Sequence, residues 1–98
     1  MIVIWSNDSL EDVEGIRDFI ARDSEYYANV FTEKIISVAE KLIDFPLMGR
    51  IVPEYNTANI REIIYRNYRV IYEVEDKRVV ILSVLHGSQQ VKSDDEDL

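Results

Sequence analysis

The sequence predicts a small α+β domain: an N-terminal strand, an antiparallel helical hairpin, then a three-stranded antiparallel meander forming a small sheet packed on the hairpin. Three observations predict it. Apolar residues recur at three- and four-residue steps from Leu10 to Phe45, the period of helices with one buried stripe. From Ile60 onward the chain changes to short runs rich in Val, Ile and Tyr, separated at hairpin distances, which is the signature of strands. Between the two regimes, Pro46-Leu47-Met48-Gly49 supplies turn residues.

Ile2 to Trp5 is apolar, β-branched and aromatic, too short for a helix, and reads as a strand with Trp5 in the core. In the Ser6-Asn7-Asp8-Ser9 stretch, Ser9 with Asp12 three residues on fits a capping box. Leu10, Val13, Ile16, Phe19 and Ile20 then share one helical stripe, with Glu11, Asp12, Glu14, Arg17 and Asp18 on the other side. Asp8, Glu11 and Asp12 complement the helix dipole. Gly15 weakens this helix by about 1 kcal/mol relative to alanine, a cost that close approach of a neighbouring backbone would explain.

Asp23-Ser24 caps a second helix, whose stripe runs through Tyr27, Ala28, Phe31, Ile35, Val38, Leu42 and Phe45 and ends before Pro46. Tyr26 and Tyr27 are expected to staple the hairpin, since so short a turn forces the helices antiparallel. Arg50 to Glu54 adds a short extended piece. Ile60–Tyr65, Tyr68–Val74 and Val79–Leu85 form the meander, turning at Arg66-Asn67 and at Glu75 to Arg78. The last of these is apolar at nearly every position, which predicts a central strand buried on both faces. By that reasoning an aspartate at Leu82 prevents folding. Pairing this strand with the N-terminal one gives four strands, with helices enough for one face only, and an exposed apolar patch of that kind marks an interaction site.

Composition narrows the class. A chain of 98 residues with net charge −8 supports one domain, assigned to residues 1–91, followed by an acidic tail over 92–98 expected to be mobile. The absence of cysteine excludes disulfide scaffolds, thiolate zinc sites and thiol nucleophiles. No metal-ligand spacing is present, and no cofactor is implied. No apolar run nears the roughly 18 residues of a membrane span, and Met1 to Trp5 carries no basic leader, so a soluble cytoplasmic protein without a membrane partner is expected. Charge is unevenly placed. Residues 1–45 hold ten acids against four bases, whereas residues 46–72 hold Arg50, Arg61, Arg66 and Arg69 against Glu54 and Glu62. The overall acidity argues against generic nucleic-acid binding, which draws most of its affinity from Lys and Arg on phosphates, and no direct sequence-specific nucleic-acid partner is expected.

An ordered set of strings carries a further reading: Phe45-Pro46-Leu47-Met48-Gly49-Arg50, Val52-Pro53-Glu54, Ile60-Arg61-Glu62, Tyr68-Arg69-Val70-Ile71-Tyr72 and Val84-Leu85-His86-Gly87. Over residues 3 to 90 this resembles the ParE/RelE superfamily of type II toxin–antitoxin toxins, in its ParE-like branch. The resemblance implies a cognate antitoxin that wraps the toxin and, for the ParE branch, DNA gyrase as the target. For the RelE branch it implies cleavage of mRNA within the ribosome.

Each implication selects candidate residues. RNA cleavage needs proton-transfer groups and cations on the developing phosphorane charge. His86, the single histidine, follows the last strand, while Arg61 and Arg69 on successive strands are expected to face each other as a phosphate clamp. Glu54 is a candidate base, and Tyr68 or Tyr72 a stacking platform. The plainer expectations are a strand-end tether for His86, and weak surface ion pairs for Arg61 with Glu62 and Arg69 with Glu73. Docking to antitoxin or target would use Arg50, Arg61, Arg66, Arg69, Tyr68 and Tyr72. The charge map suits docking better than ribosome entry.

Overall fold

The computed structural model describes residues 1–87, so the tail over 92–98 and the boundary at 91 lie outside the described residues. The order is β1 (Ile2–Trp5), α1 (Asn7–Ala21), α2 (Glu25–Lys41), β2 (Arg50–Ile51), β3 (Ile60–Tyr65), β4 (Tyr68–Val74) and β5 (Arg78–His86). The strands form one sheet in the order β1-β5-β4-β3-β2. β1 runs parallel to β5, and the other neighbours are antiparallel. β5 is therefore interior, as its apolar run predicts. The expected extended piece is the two-residue edge strand β2, which brings the sheet to five strands.

The helical hairpin covers one sheet face. Phe31, Ile35, Ala39 and Leu42 of α2 and its C-cap meet Val70, Tyr72, Val79, Ile81 and Val84, and Val13, Ile16 and Ile20 of α1 pack at the margin. A second, smaller cluster occupies the opposite face, where Val52 and Ile71 are buried beside Tyr55, Ile60, Leu82 and Leu85. Among the described residues no helix covers that face.

Several local expectations are corrected. Ser6, not Ser9, caps α1: its hydroxyl accepts from the Ser9 N–H at 3.1 Å, while its own N–H donates to the Ile81 carbonyl. One residue thus ends β1 and begins the helix. Asp12 does more than complement the dipole. Beyond Ile81, β5 outruns β1 and would expose backbone donors on that edge. The Asp12 carboxylate accepts from the Val84 N–H at 3.0 Å, and the Ser6 hydroxyl donates to the Leu82 carbonyl. Gly15 is exposed, and a methyl group placed on its Cα would have nothing within 4 Å, so no backbone approach explains it. Leu10 and Phe19 leave the buried stripe and are exposed. Tyr26 and Tyr27 are exposed as well, and contact each other edge-on. The hairpin is instead tied by Arg17, whose guanidinium donates to Glu25 and Asn29 across the turn.

The register of β4 with β5 shifts between Ile71 and Tyr72. Tyr72 opposes Ile81 and Ile71 opposes Ser83, so Leu82 is the extra residue of a bulge. Ile81 and Val84 therefore both face the helices, although three positions separate them. Leu82 points to the uncovered face and is only partly buried, so it is not the doubly buried position its neighbours suggest.

Candidate functional site

Alternation along β3 and β4 divides the candidate residues between the two faces. Arg61, Ile63, Tyr68, Val70 and Tyr72 share the helix side, and Glu62, Arg69 and Ile71 share the uncovered side. Arg61 opposes Tyr72, whereas Arg69 opposes Ile64. The two arginines lie on opposite faces and cannot clamp one phosphate, which corrects the expected pairing.

On the uncovered face the sequence brings four charges together. The Arg69 Nε donates to Glu62 at 2.6 Å, and its two terminal nitrogens donate to the two oxygens of Glu54, each at 2.9 Å. Arg50 donates to the other Glu62 oxygen at 2.7 Å. Arg69 is 7% exposed and Glu62 1%, so this is a buried network rather than a surface pair with Glu73. Hydrogen bonding from Glu54, outweighing desolvation, and further contact with Glu62 push the Arg69 guanidinium well above its ordinary range. Glu54 is thereby occupied as an ion-pair partner in this conformation, not poised as a base. Glu73 accepts instead from the Asn59 amide.

Arg61 serves the opposite face as a backbone clasp. It donates to the carbonyls of Ala58 and Gly49, each at 2.9 Å, and reaches that of Leu47 at 3.4 Å. Tyr72 is fully buried, and its hydroxyl accepts from the Gly49 N–H at 2.9 Å. Burial pushes its phenol pKa up, against smaller opposing effects of the Gly49 hydrogen bond and of Arg61. Tyr72 can neither stack on a base nor touch a partner. Together Arg61, Tyr72 and Gly49 fix the turn after α2, where Phe45, Leu47 and Met48 stand exposed.

His86 ends β5 opposite Tyr68, with the rings edge-on at 5.8 Å. The strand end is tied by the Gly87 N–H, which donates to the Asn67 carbonyl. His86, Tyr68, Glu11, Asp12, Ile16 and Phe19 line an open cleft of about 550 Å³ between α1 and the end of β5. Arg66 sits exposed at the β3–β4 turn with φ of 52°, its Nε donating to the Tyr65 hydroxyl. Beside it, Tyr27, Val30, Phe31, Tyr65 and Tyr68 line a second groove. His86 and Tyr68 are thus together, Arg50 and Arg69 share Glu62 on the other face, and Arg66 stands apart at the sheet end. Sequence reasoning missed the pairing of Arg69 with Glu54, the role of Asp12, and the exposure of Phe19. Among the described residues no helix is long and apolar enough to cross a membrane.

Residues 3–91 match the family described as the ParE toxin of type II toxin-antitoxin system, parDE. The chain belongs to the ParE toxin family. This ParE-family toxin is 30% identical over 88 residues to Toxin RelE2 of Caulobacter vibrioides, covering 89% of this chain and 96% of that one. A solved structure described as the chromosomal ParDE TA system from P. aeruginosa has the same fold, with a TM-score of 0.72 at 18% identity. The match covers 88% of the ParE-family chain and 95% of the other.

Proposed function

We propose that this type II toxin acts by binding a protein target, DNA gyrase, and that a cognate antitoxin neutralises it. The observation that carries the reading is the state of Arg69. Its guanidinium fork is filled by two carboxylates of its own chain, on the sheet face opposite Arg61 and His86. Arg61 itself holds backbone carbonyls, and its partner in β4 lies four residues from that of His86, about 13 Å along the strand. Phosphorane stabilisation and proton transfer are not gathered at one phosphate. Docking, by contrast, suits the exposed apolar residues beside α2 and the net charge of −8. The structural neighbour is described as a ParDE TA system, and pairing with an antitoxin is assigned to this chain on the same pattern.

A second reading has one observation in its favour, the name of the 30% identical relative, Toxin RelE2. On that reading the chain is a ribosome-dependent mRNA endoribonuclease using His86 with Arg61 and Arg69. Purified protein assayed in parallel on gyrase and on translating ribosomes separates the two. Loss of supercoiling with intact mRNA is the expected result. Cleaved mRNA, abolished by His86→Ala, would overturn the gyrase assignment.

A further inference from the structure

We propose that the cleft between α1 and the end of β5 docks a basic polypeptide segment, which anchors there through a lysine or arginine flanked by apolar residues. The inference goes beyond the gyrase reading, because it concerns the segment this cleft accepts and not which protein the toxin inhibits.

Three features without a use inside the fold line this one cleft. Gly15 is the first. A glycine in the middle of α1 weakens the helix, and no atom of the chain comes within 4 Å of the place a methyl group would take. A bare backbone at that point leaves room for close approach from outside. Phe19 is the second, a ring 66% exposed one turn farther along the same helix face. The third is the side of β5. The register of β1 ends with Trp5 opposite Ile81, whereas β5 continues to His86, so among the described residues no strand flanks its last part on that side. The Val84 N–H donates to Asp12 there, and strand geometry turns the Val84 carbonyl the same way. Helix and strand enclose about 550 Å³, the size of clefts that take ligands.

Charge selects the occupant. Glu11 and Asp12 form the rim, no lysine or arginine lines the cleft, and α1 as a whole holds five acids against one base. That base, Arg17, is turned to Glu25 and Asn29. The cleft thus sets two carboxylates and a carbonyl, all acceptors, beside the apolar Ile16, Phe19 and Leu85. A lysine or arginine matches both: its stem lies along apolar carbons while its charged head donates to the acceptors. The Arg22 guanidinium, which does not line the cleft, stands 5.8 Å from the Phe19 centroid, so this ring already takes a cation on its face. An acidic segment, or a second copy with the same net charge of −8, meets repulsion here.

The test titrates an acetylated, amidated peptide, Lys-Val-Arg-Leu-Lys-Val-Arg, into the full isotope-labelled chain and follows backbone amides by NMR. Binding should move the amides of Gly15, Phe19 and Val84 and leave that of Ile71, on the uncovered face, in place. Gly15→Leu fills the cleft without altering charge. It should melt no lower than the unaltered chain, because leucine favours helix, yet bind the peptide about tenfold more weakly. Glu11→Gln should weaken binding about threefold, an effect that fades at high salt. On the unaltered chain, a peptide with glutamate for each base should not bind, and one with glycine for each apolar residue should bind about tenfold more weakly. These peptide comparisons stand whether or not the variants fold. Shifts centred away from the cleft, equal binding of the acidic peptide, or a folded Gly15→Leu protein within about twofold of the parent affinity would each overturn the proposal. So would the absence of shifts at about 2 mM basic peptide. Neither gyrase nor an antitoxin enters the assay, so its outcome is independent of the function proposed above.

Discussion

Replacing glycine by alanine at two positions of this chain should change stability in opposite directions. At Gly49 a methyl group would stand 2.6 Å from the Glu62 carbonyl oxygen, 2.6 Å from the Tyr72 hydroxyl and 2.9 Å from a Tyr72 ring carbon. None of these neighbours can yield cheaply. The carbonyl is β3 backbone, pinned through Glu62 to Arg50 and Arg69, and the ring is fully buried. The turn must therefore lift away, breaking the Gly49 N–H to Tyr72 bond and straining the Arg61 clasp. Overpacking costs about 1–3 kcal/mol, and an orphaned buried polar group about as much again, so Gly49→Ala should cost roughly 3 kcal/mol. In a domain of this size that is a fall in Tm of about 12–24 °C. At Gly15 nothing lies within 4 Å, and the residue is an exposed mid-helix glycine. Gly15→Ala should raise stability by about 1 kcal/mol. Urea titration and thermal melting of both variants check the pair. A Gly49→Ala protein within about 0.5 kcal/mol of the parent would refute the close approach of turn, β3 backbone and Tyr72.

Two other perturbations report on the interior. Burial raises the Tyr72 phenol pKa, so its contribution is complete below the unfolded value of about 10 and is lost as pH climbs through the folded one. Tyr72→Phe should cost about 1–2 kcal/mol at neutral pH by orphaning the Gly49 N–H, and its deficit should shrink above pH 10; a pH-independent gap in denaturant titrations contradicts this. The β5 bulge makes neighbouring positions unequal. Ile81→Asp buries a charge in the main core and should leave no folded protein, whereas Leu82→Asp, half-buried on the uncovered face, should fold with a loss of about 2 kcal/mol. Circular dichroism of both chains decides it, and equal loss of structure would mean the bulge is misplaced.

The architecture was legible because hydrophobic period and turn chemistry agreed at every element. Both helices and the longer strands follow from apolar spacing within a few residues, and the interior place of β5 follows from its unbroken apolar run. What escaped were the side chains that act across long sequence separations. Asp12 looks like any first-turn carboxylate, and nothing local says that β5 will outrun β1 and require an acceptor there. Phe19 fits the helical stripe as well as Ile16 does, yet it stands exposed at the cleft between α1 and the end of β5. The bulge is equally silent: counting by twos from Ile81 puts Ser83 and Leu85 on the helix side, whereas the extra residue turns Val84 and His86 there.

The placement of the arginines differs from these cases, because it follows from the sequence once the turn is fixed. A two-residue turn at Arg66-Asn67 sets Tyr65 opposite Tyr68, and every other pair of that hairpin is then determined. Arg69 must oppose Ile64, and Arg61 stands an odd number of residues from Ile64, which puts the two guanidinium groups on different faces. Glu62 stands two residues from Ile64 and so falls on the face of Arg69, one diagonal step away, within reach of a long side chain. Register alone therefore replaces a phosphate clamp by a buried ion pair. Register also accounts for the interleaving of acids and bases in the middle segment. Each of Arg50 and Arg69, sent by β-alternation to the uncovered face, meets Glu62 sent there with it, and with Glu54 the four-residue network is left neutral and closed.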